Sequence, residues 1–342
     1  MEWHDALQAI FDHTTSNKLI HSIIMMSTAT NNNETCGLLF AGQGTDIQKS
    51  VIRLTTGSWS TEAKEYFARA SLVLGYDLLE LCLTQPEKLK ETTYSQLAIF
   101  VTSLATVEKA KETPGFNVSH VAGFSLGEYS ALVYAGSITF EDGLRLLKTR
   151  AEAMQIAAES TAGSMVTVVG LTDDQLAVLC RDAMTACGKP AETIAIANLI
   201  FPKGRVLSGF KPCVTWVVDN ATKPRYGAMA ATELPVAGAF HSKYMASAAV
   251  MLQGALAETA IKLPRLQVYS NVTGKPYTSV EEIRELLVQQ VVSAVRWEQT
   301  IVAMLADDST MKFIDAGPGM QLQSMMRRIE MNAFKKTSAL DK

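Results

Sequence analysis

A chain of 342 residues that is 48% hydrophobic and 19% charged has ordinary globular composition and enough length to bury a large core, with one large domain and a smaller one as the natural arrangement. Its formal net charge of −3 comes with no basic stripe, which leaves no nucleic-acid footprint, and no apolar run approaches the roughly 18 residues of a membrane span. Five cysteines, Cys36, Cys82, Cys180, Cys187 and Cys213, are scattered without any C-x-x-C spacing, which argues for reduced thiols and against a disulfide framework or a zinc site.

Residues 1–35 are polar, with Asn31, Asn32 and Asn33 in a row. Several acids and no arginine suit neither an intact transit peptide nor a signal peptide. The segment is expected to be a polar mobile arm, or what remains after a presequence. From Cys36 the pattern sharpens: Gly37, Leu38, Leu39 and Phe40 make an apolar strand that runs into Ala41, Gly42, Gln43, Gly44 and Thr45. Two glycines after a buried strand fit a plain strand-to-helix turn or a loop whose N–H groups hold an anion. The period of Tyr66, Ala70, Val73 and Leu74 predicts a helix over 61–83 that Pro86 stops. Another is predicted over 95–111, giving way to Pro114 and Gly115.

The stretch HVAGFSLGEYSALVYAG, 120–136, organises the rest. Gly123, Phe124, Ser125, Leu126 and Gly127 form G-x-S-x-G, preceded by a β-like run over 118–122 and followed by helix formers up to Gly136. Strand, serine and helix in that order are the context of a nucleophile elbow. The flanking glycines let the chain reverse so that the hydroxyl projects into a cleft, and N–H groups at the helix start can hold an oxyanion. The bland alternative is a serine in an ordinary turn. A further helix begins where Thr139 precedes Asp142 by three residues, close to a capping box. Its apolar stripe runs through Leu144, Leu147, Ala151 and Met154. Arg150 lies roughly 70° from the middle of that stripe and Arg145 near the opposite side. An inward guanidinium needs an anion, either a ligand carboxylate or a core-edge Asp or Glu.

Between 163 and 234 the elements shorten: strand 165–170, helix 172–186, strands 193–197 and 205–208, helix 212–221, strand 227–234. This β-α-β-β-α-β order is that of a ferredoxin-like unit inserted in the larger domain. The chain returns at LPVAGAFHSKYM, which delivers Phe240 and His241 at the head of a helix. Five histidines allow elimination. His4, His13 and His21 lie in the arm, and His120 is too constrained in its strand to fold back on Ser125. His241 remains, and without a rival base it outweighs the ordinary reading of a satisfied histidine. Downstream come a strand and turn at QVYSNVTGKPY, a helix over 280–292, and a strand from Lys312 closing on a Gly-Pro-Gly loop. A last helix over 321–329 ends in Arg327 and Arg328, a solvated face or a landing place for an acidic partner.

Ten blocks, GLLFAGQGT, YSQLAIF, VAGFSLGEYSALVYAG, LRLLKTRAEAM, GSM, ANLIFPKGRVLSG, LPVAGAFHS, VYSN, VRWEQ and IDAGPG, resemble the malonyl-CoA:acyl carrier protein transacylases. They run in that family's order over 37–329, and the GFSLGEY form looks most like the animal mitochondrial members. The resemblance implies an α/β fold: a hydrolase-like large domain with a parallel sheet and nucleophile elbow over 36–160 and 235–332, and the ferredoxin-like small domain over 161–234. It implies Ser125 as the acylated nucleophile, His241 as its base, and the main-chain carbonyl of Gln290 as the group orienting the imidazole. The N–H groups of Gln43 and Leu126 would form the oxyanion hole, and Arg150 would pair with the malonate carboxylate. Gln96 and Asn198 match pocket positions, and Phe240 matches a pattern that selects malonyl over branched groups. The partners implied are malonyl-CoA and an acidic, phosphopantetheinylated acyl carrier protein. No cofactor or metal is needed, because two thiols exchange an acyl group through one oxygen ester.

Some positions depart from that pattern. Thr45 and Asp46 replace Ser and Gln in the glycine loop, Phe124 replaces a histidine common in bacterial members, and Leu97 and Ala294 replace prolines. None removes a group the chemistry requires. Two other readings stay open on sequence: an α/β-hydrolase-type serine esterase or thioesterase, and a non-catalytic carrier-binding paralogue. The resemblance alone suggests the mitochondrion, with the cytoplasm as the alternative.

Overall fold

The run Cys36–Phe40 has only the Cys36 thiol to satisfy, which donates to the Asn117 carbonyl at 3.1 Å, and as strand β1 it is buried along its whole length. The computed structural model describes residues 35–44, 46–56, 61–111, 116–190, 193–309 and 311–340. The arm expected over its first residues, together with Thr45, Pro114 and Gly115, lies outside them. Strand β1 is the middle of a five-stranded sheet that also holds β2 (Val118–Gly123), β7 (Gln267–Tyr269), β8 (Lys312–Asp315) and β9 (Thr337–Ala339), in the order β7-β2-β1-β8-β9. Every pairing in it is parallel. The chain leaves β1 toward β2 on one side and reaches β8 on the other, so the order reverses at β1. In open parallel sheets ligands collect at the carboxyl ends of the strands beside such a reversal. The loops found there are 41–44, 124–126 and 316–320.

Helices cover this sheet. Helix α4 (Thr92–Lys111) is buried nearly all round over 95–107, as a helix passing through a core must be. Helices α5 (Gly127–Tyr134) and α6 (Phe140–Glu159) follow the elbow, and the Thr139 hydroxyl caps α6 by accepting from the Asp142 N–H. Earlier in the chain α1 is Ile47–Thr56, α2 is Thr61–Leu74 and α3 is Leu78–Thr84. The single helix expected over 61–83 is thus two. Gly75 takes a left-handed φ of +80°, and the Asp77 side chain accepts from the Glu80 N–H to start α3. A C-terminal glycine followed by an N-cap acid is a stop and a start within three residues.

The second sheet has four antiparallel strands: β3 (Gly163–Val169), β4 (Ile194–Phe201), β5 (Gly204–Phe210) and β6 (Ala230–Glu233), ordered β4-β5-β3-β6. This is the ferredoxin-like strand order. Helices α7 (Asp173–Ala186) and α8 (Lys211–Asn220) pack on it around a separate apolar cluster that includes Val166, Leu179, Leu207 and Val214. Thr172 and Gln175 close a full capping box on α7. Strand β4 runs four residues beyond its expected end, with bulges after Ile196 and Leu199. This extension carries Asn198 to a parallel bridge with Val295, where the Leu199 N–H donates to the Val295 carbonyl at 2.9 Å.

The remaining helices are α9 (Ala246–Glu258), α10 (Val280–Gln290), α11 (Trp297–Asp307), α12 (Gln321–Ile329) and α13 (Met331–Lys335). Two differences from expectation matter. His241 is not at the head of a helix: it sits in a turn ahead of a single 3-10 turn, Lys243–Met245, that leads into α9. The large sheet also continues past 332, since α13 returns the chain to pair β9 with β8. A three-residue strand with two polar residues carries too little periodicity to be read from sequence.

Candidate active site

The elbow follows directly from β2. The Phe124 N–H donates to the Phe40 carbonyl at 2.9 Å, and Ser125 then adopts φ +54°. A left-handed non-glycine residue costs about 1–2 kcal/mol, so the surroundings must hold it. The glycines are required by space: a Cβ on Gly123 would fall 1.9 Å from the Gly127 carbonyl carbon, and one on Gly127 would fall 2.3 Å from the Phe40 oxygen. Asn271 clamps the turn from outside. Its Oδ1 accepts from the Ser125 N–H and its Nδ2 donates to the Gly123 carbonyl, both at 2.7 Å.

His241 also has a left-handed backbone, φ +55°. Its Nε2 lies 2.8 Å from Ser125 Oγ, and its Nδ1 lies 2.8 Å from the main-chain oxygen of Gln290. Gln290 is the last residue of α10, where carbonyls lack partners within the helix. A carbonyl can only accept, so the proton sits on Nδ1 and Nε2 is left to accept from the serine. Burial, reinforced by the Arg150 charge and opposed by the Gln290 bond, pushes the imidazole down to about 4. It is therefore neutral near pH 7.

Arg150 is 1% exposed. Its Nη1 donates to Gln96 Oε1 at 2.6 Å, and its Nη2 donates to Ser125 Oγ and to Gln290 Oε1, both at 3.0 Å. All three acceptors are neutral. The Tyr129 ring lies 5.7 Å away. Among the described residues no carboxylate forms an ion pair with this guanidinium, whereas the other buried arginine, Arg205, bonds both Asp173 and Glu298 at 2.7 Å. A buried cation held by neutral oxygens beside a nucleophile is a ready receptor for an anion.

The other expected residues take varied places. Gln43 follows Gly42, where a Cβ would meet Phe124 at 2.7 Å, so the glycine loop is pressed onto the elbow. Neither the Gln43 nor the Leu126 N–H has a hydrogen-bond partner among the described residues. Gln96 is buried and, besides Arg150, reaches Met154 Sδ at 3.8 Å. Asn198 and Phe240 are buried, 4% and 5% exposed, but neither side chain is hydrogen-bonded to the cluster. His120 is engaged away from Ser125, with Asp307 at 2.6 Å and Ser119 at 2.7 Å. No group of three or more His, Cys, Asp or Glu able to hold a metal occurs among the described residues, and no helix there is long and apolar enough to cross a membrane.

Sequence reasoning missed Asn271, Glu128 and Tyr277, and the Gln290 side chain. Glu128 is fully buried and accepts from Gln290 Nε2 at 2.6 Å, from the Asn271 N–H at 3.3 Å and from the Tyr277 hydroxyl. One signal was available: Glu128 is the lone charge in the otherwise uncharged helix GEYSALVY.

A parallel α/β sheet that ends in a strained serine elbow, with a neutral imidazole on its hydroxyl, is the frame of an acyl-transferring enzyme. The chain belongs to the acyl transferase domain family, which matches residues 39–336. It is 38% identical over 317 residues to the mitochondrial malonyl-CoA-acyl carrier protein transacylase of Mus musculus, across 89% of this chain and 81% of that one. It is 33% identical to the malonyl CoA-acyl carrier protein transacylase of Escherichia coli strain K12, across 85% of this chain and 91% of the other. Among solved structures, the malonyl CoA-acyl carrier protein transacylase of Coxiella burnetii superposes with a TM-score of 0.83 at 28% identity, covering 92% and 96% of the two chains. A malonyl-transacylase in complex with its type II polyketide synthase acyl-carrier protein gives 0.80 at 31% identity, covering 90% and 95%.

Proposed function

We propose that this protein transfers the malonyl group of malonyl-CoA to the phosphopantetheine thiol of an acyl carrier protein through a malonyl-Ser125 intermediate, supplying fatty acid synthesis. The observation that carries the reading is the buried guanidinium of Arg150, 3.0 Å from the serine oxygen and held only by neutral acceptors. A carboxylate one carbon removed from the reacting carbonyl would reach such a cation while that carbonyl lies against Ser125. To do so it displaces the weak contacts to Ser125 and Gln290, exchanging neutral bonds for charge-assisted ones.

The steps follow from the geometry. Neutral His241 takes the Ser125 proton at Nε2 as Oγ attacks the thioester carbon. The Nδ1–H bond to the Gln290 carbonyl keeps the ring in that tautomer and supports the imidazolium that forms. The oxyanion is held by the N–H groups of Gln43 and Leu126, worth about 3 kcal/mol per donor. The thioester C–S bond breaks, the imidazolium returns its proton to the departing CoA sulfur, and Ser125 carries the malonyl ester. The carrier thiol then enters by the reverse path, giving its proton to His241 and regenerating Ser125. Gln96 holds Arg150, while Asn198 and Phe240 bound the acyl pocket, Phe240 favouring an unbranched chain.

Incubation with malonyl-CoA should add one malonyl mass to the intact protein, and a phosphopantetheinylated carrier should remove it. Ser125→Ala should show no adduct. Rapid release of free malonate to water, with no adduct and no transfer, would overturn the reading in favour of a hydrolase. The compartment is read as the mitochondrion, because the mouse, human and Drosophila melanogaster relatives are described as mitochondrial. Recovery of the cellular protein in the cytosolic fraction alone would overturn that.

A further inference from the structure

Glu128 has no part in the steps above, yet it is fully buried two residues from the oxyanion donor Leu126 and bonds both Gln290 and Asn271, which hold the site. Its oxygens face donors only: Gln290 Nε2, the Asn271 N–H and the Tyr277 hydroxyl. Two of these donors, Gln290 and Asn271, are themselves committed to the reacting groups. The Gln290 amide splits its work, with Nε2 on Glu128 and on the Ser125 carbonyl at 2.9 Å, and Oε1 on Arg150 at 3.0 Å. The main-chain oxygen of the same residue holds His241. Asn271, held by its N–H, clamps Ser125 and Gly123.

We infer that Glu128 is the positioning residue of this site: its carboxylate fixes the amide of Gln290 and the backbone of Asn271, and through them sets Ser125, His241 and Arg150 in register. The inference rests on the acyl-transfer reading above. The anionic form satisfies these donors best, since a protonated carboxyl could place its hydrogen only on the Tyr277 hydroxyl, which would then have to accept instead of donate. An amide at 128 keeps a single acceptor oxygen: set against Gln290 Nε2 it turns its NH₂ on the Tyr277 hydroxyl, and set against Tyr277 it opposes NH₂ to NH₂ at Gln290. In the second placement the Gln290 amide would flip, removing the acceptor from Arg150 and the donor from the Ser125 carbonyl. The titratable groups acting on Glu128 are Arg150 from α6, Tyr277 from the turn after β7, and, next to it in α5, Tyr129. Burial pushes the carboxyl up to about 7, against the pull of Tyr277, Gln290, Asn271 and Arg150.

The test is the pH dependence of Ser125 acylation, followed by quenched-flow mass spectrometry with malonyl-CoA. The wild-type rate should fall on acidification with a midpoint near 7 rather than near the His241 value of about 4. Glu128→Gln should acylate about a hundredfold more slowly and should lose that limb, with KM changed far less than kcat. Tyr277→Phe removes a donor to the carboxylate, so its limb should move to higher pH. A residue that merely supported the fold would change the melting temperature and leave all three profiles parallel. Should Glu128→Gln not fold, the Tyr277→Phe shift and a ¹³C-carboxyl titration of the wild-type protein stand alone. An acid limb that survives in Glu128→Gln, or that fails to move in Tyr277→Phe, overturns the inference while leaving acyl transfer intact. Absence of any malonyl adduct at any pH overturns the reading beneath it.

Discussion

In the proposed reaction Arg150 is the residue on which substrate choice turns, because a buried guanidinium without a carboxylate favours whatever brings one. On that proposal Arg150→Ala would remove two charge-assisted hydrogen bonds to malonate, each worth about 1.5–3 kcal/mol. At about 1.4 kcal/mol per factor of ten, kcat/KM for malonyl-CoA should fall about a hundredfold or more. Acetyl-CoA, which has no free carboxylate, should lose much less. A steady-state competition between the two thioesters would show preference moving toward acetyl, and an unchanged malonyl preference would sink the assignment. The hydroxyl, imidazole and guanidinium that meet here are the ones spacing, scarcity and helix phase single out. A G-x-S-x-G after a strand, one histidine left from five, and an arginine beside an apolar stripe are local signals. Glu128, Asn271 and Tyr277 leave none of comparable strength. Their partners lie more than 140 residues away in the chain, and a polar side chain whose satisfaction is wholly tertiary has no period or motif to betray it.

At the scale of elements, two glycines show why the same residue type carries different weight. Gly75 ends α2 at φ +80°, and a Cβ there would meet nothing within 4 Å. Gly75→Ala therefore meets only backbone strain, about 1–2 kcal/mol, and should leave acylation unchanged. Gly127 begins α5 under the Phe40 carbonyl, where a Cβ would sit at 2.3 Å. Gly127→Ala must push the helix from β1, which should lower stability by about 3 kcal/mol and lower the acylation rate by about a hundredfold through displacement of Ser125. Urea denaturation beside the mass assay separates the two, and equal effects at both positions would contradict the steric argument. The break at Gly75 is also the place where periodicity alone joined two helices into one. The apolar phase continues through 61–83, whereas the interruption comes from one left-handed residue and one capping acid. The ferredoxin-like order was legible because each of its elements is short and bounded. Strand β9 was not, since its pairing with β8 depends on α13 turning the chain back.

For the whole molecule, the two buried groups behind the serine set opposite slopes of stability against pH. His241 has its folded value lowered from 6.5 to about 4. It contributes stability that is present above 6.5 and lost as pH falls through 4. Glu128 has its folded value raised from 4.5 to about 7, and its contribution is present below 4.5 and lost as pH rises through 7. Between 4.5 and 6.5 the unfolded chain binds the histidine proton that the folded protein refuses, while the folded protein keeps the glutamate proton that the unfolded chain has released. The slopes therefore oppose and largely cancel in the wild type. Removing either group should expose the other. Relative to wild type, Glu128→Gln should gain stability from pH 5 to pH 7, on the order of 2 kcal/mol. Over the same interval His241→Gln should lose a comparable amount, since the glutamate slope is then unopposed. Urea midpoints at the two pH values, converted with each protein's own slope, give the comparison. Parallel changes in all three proteins would mean that neither group is held away from its ordinary protonation by the fold, and that the neutral imidazole required at Ser125 has some other origin.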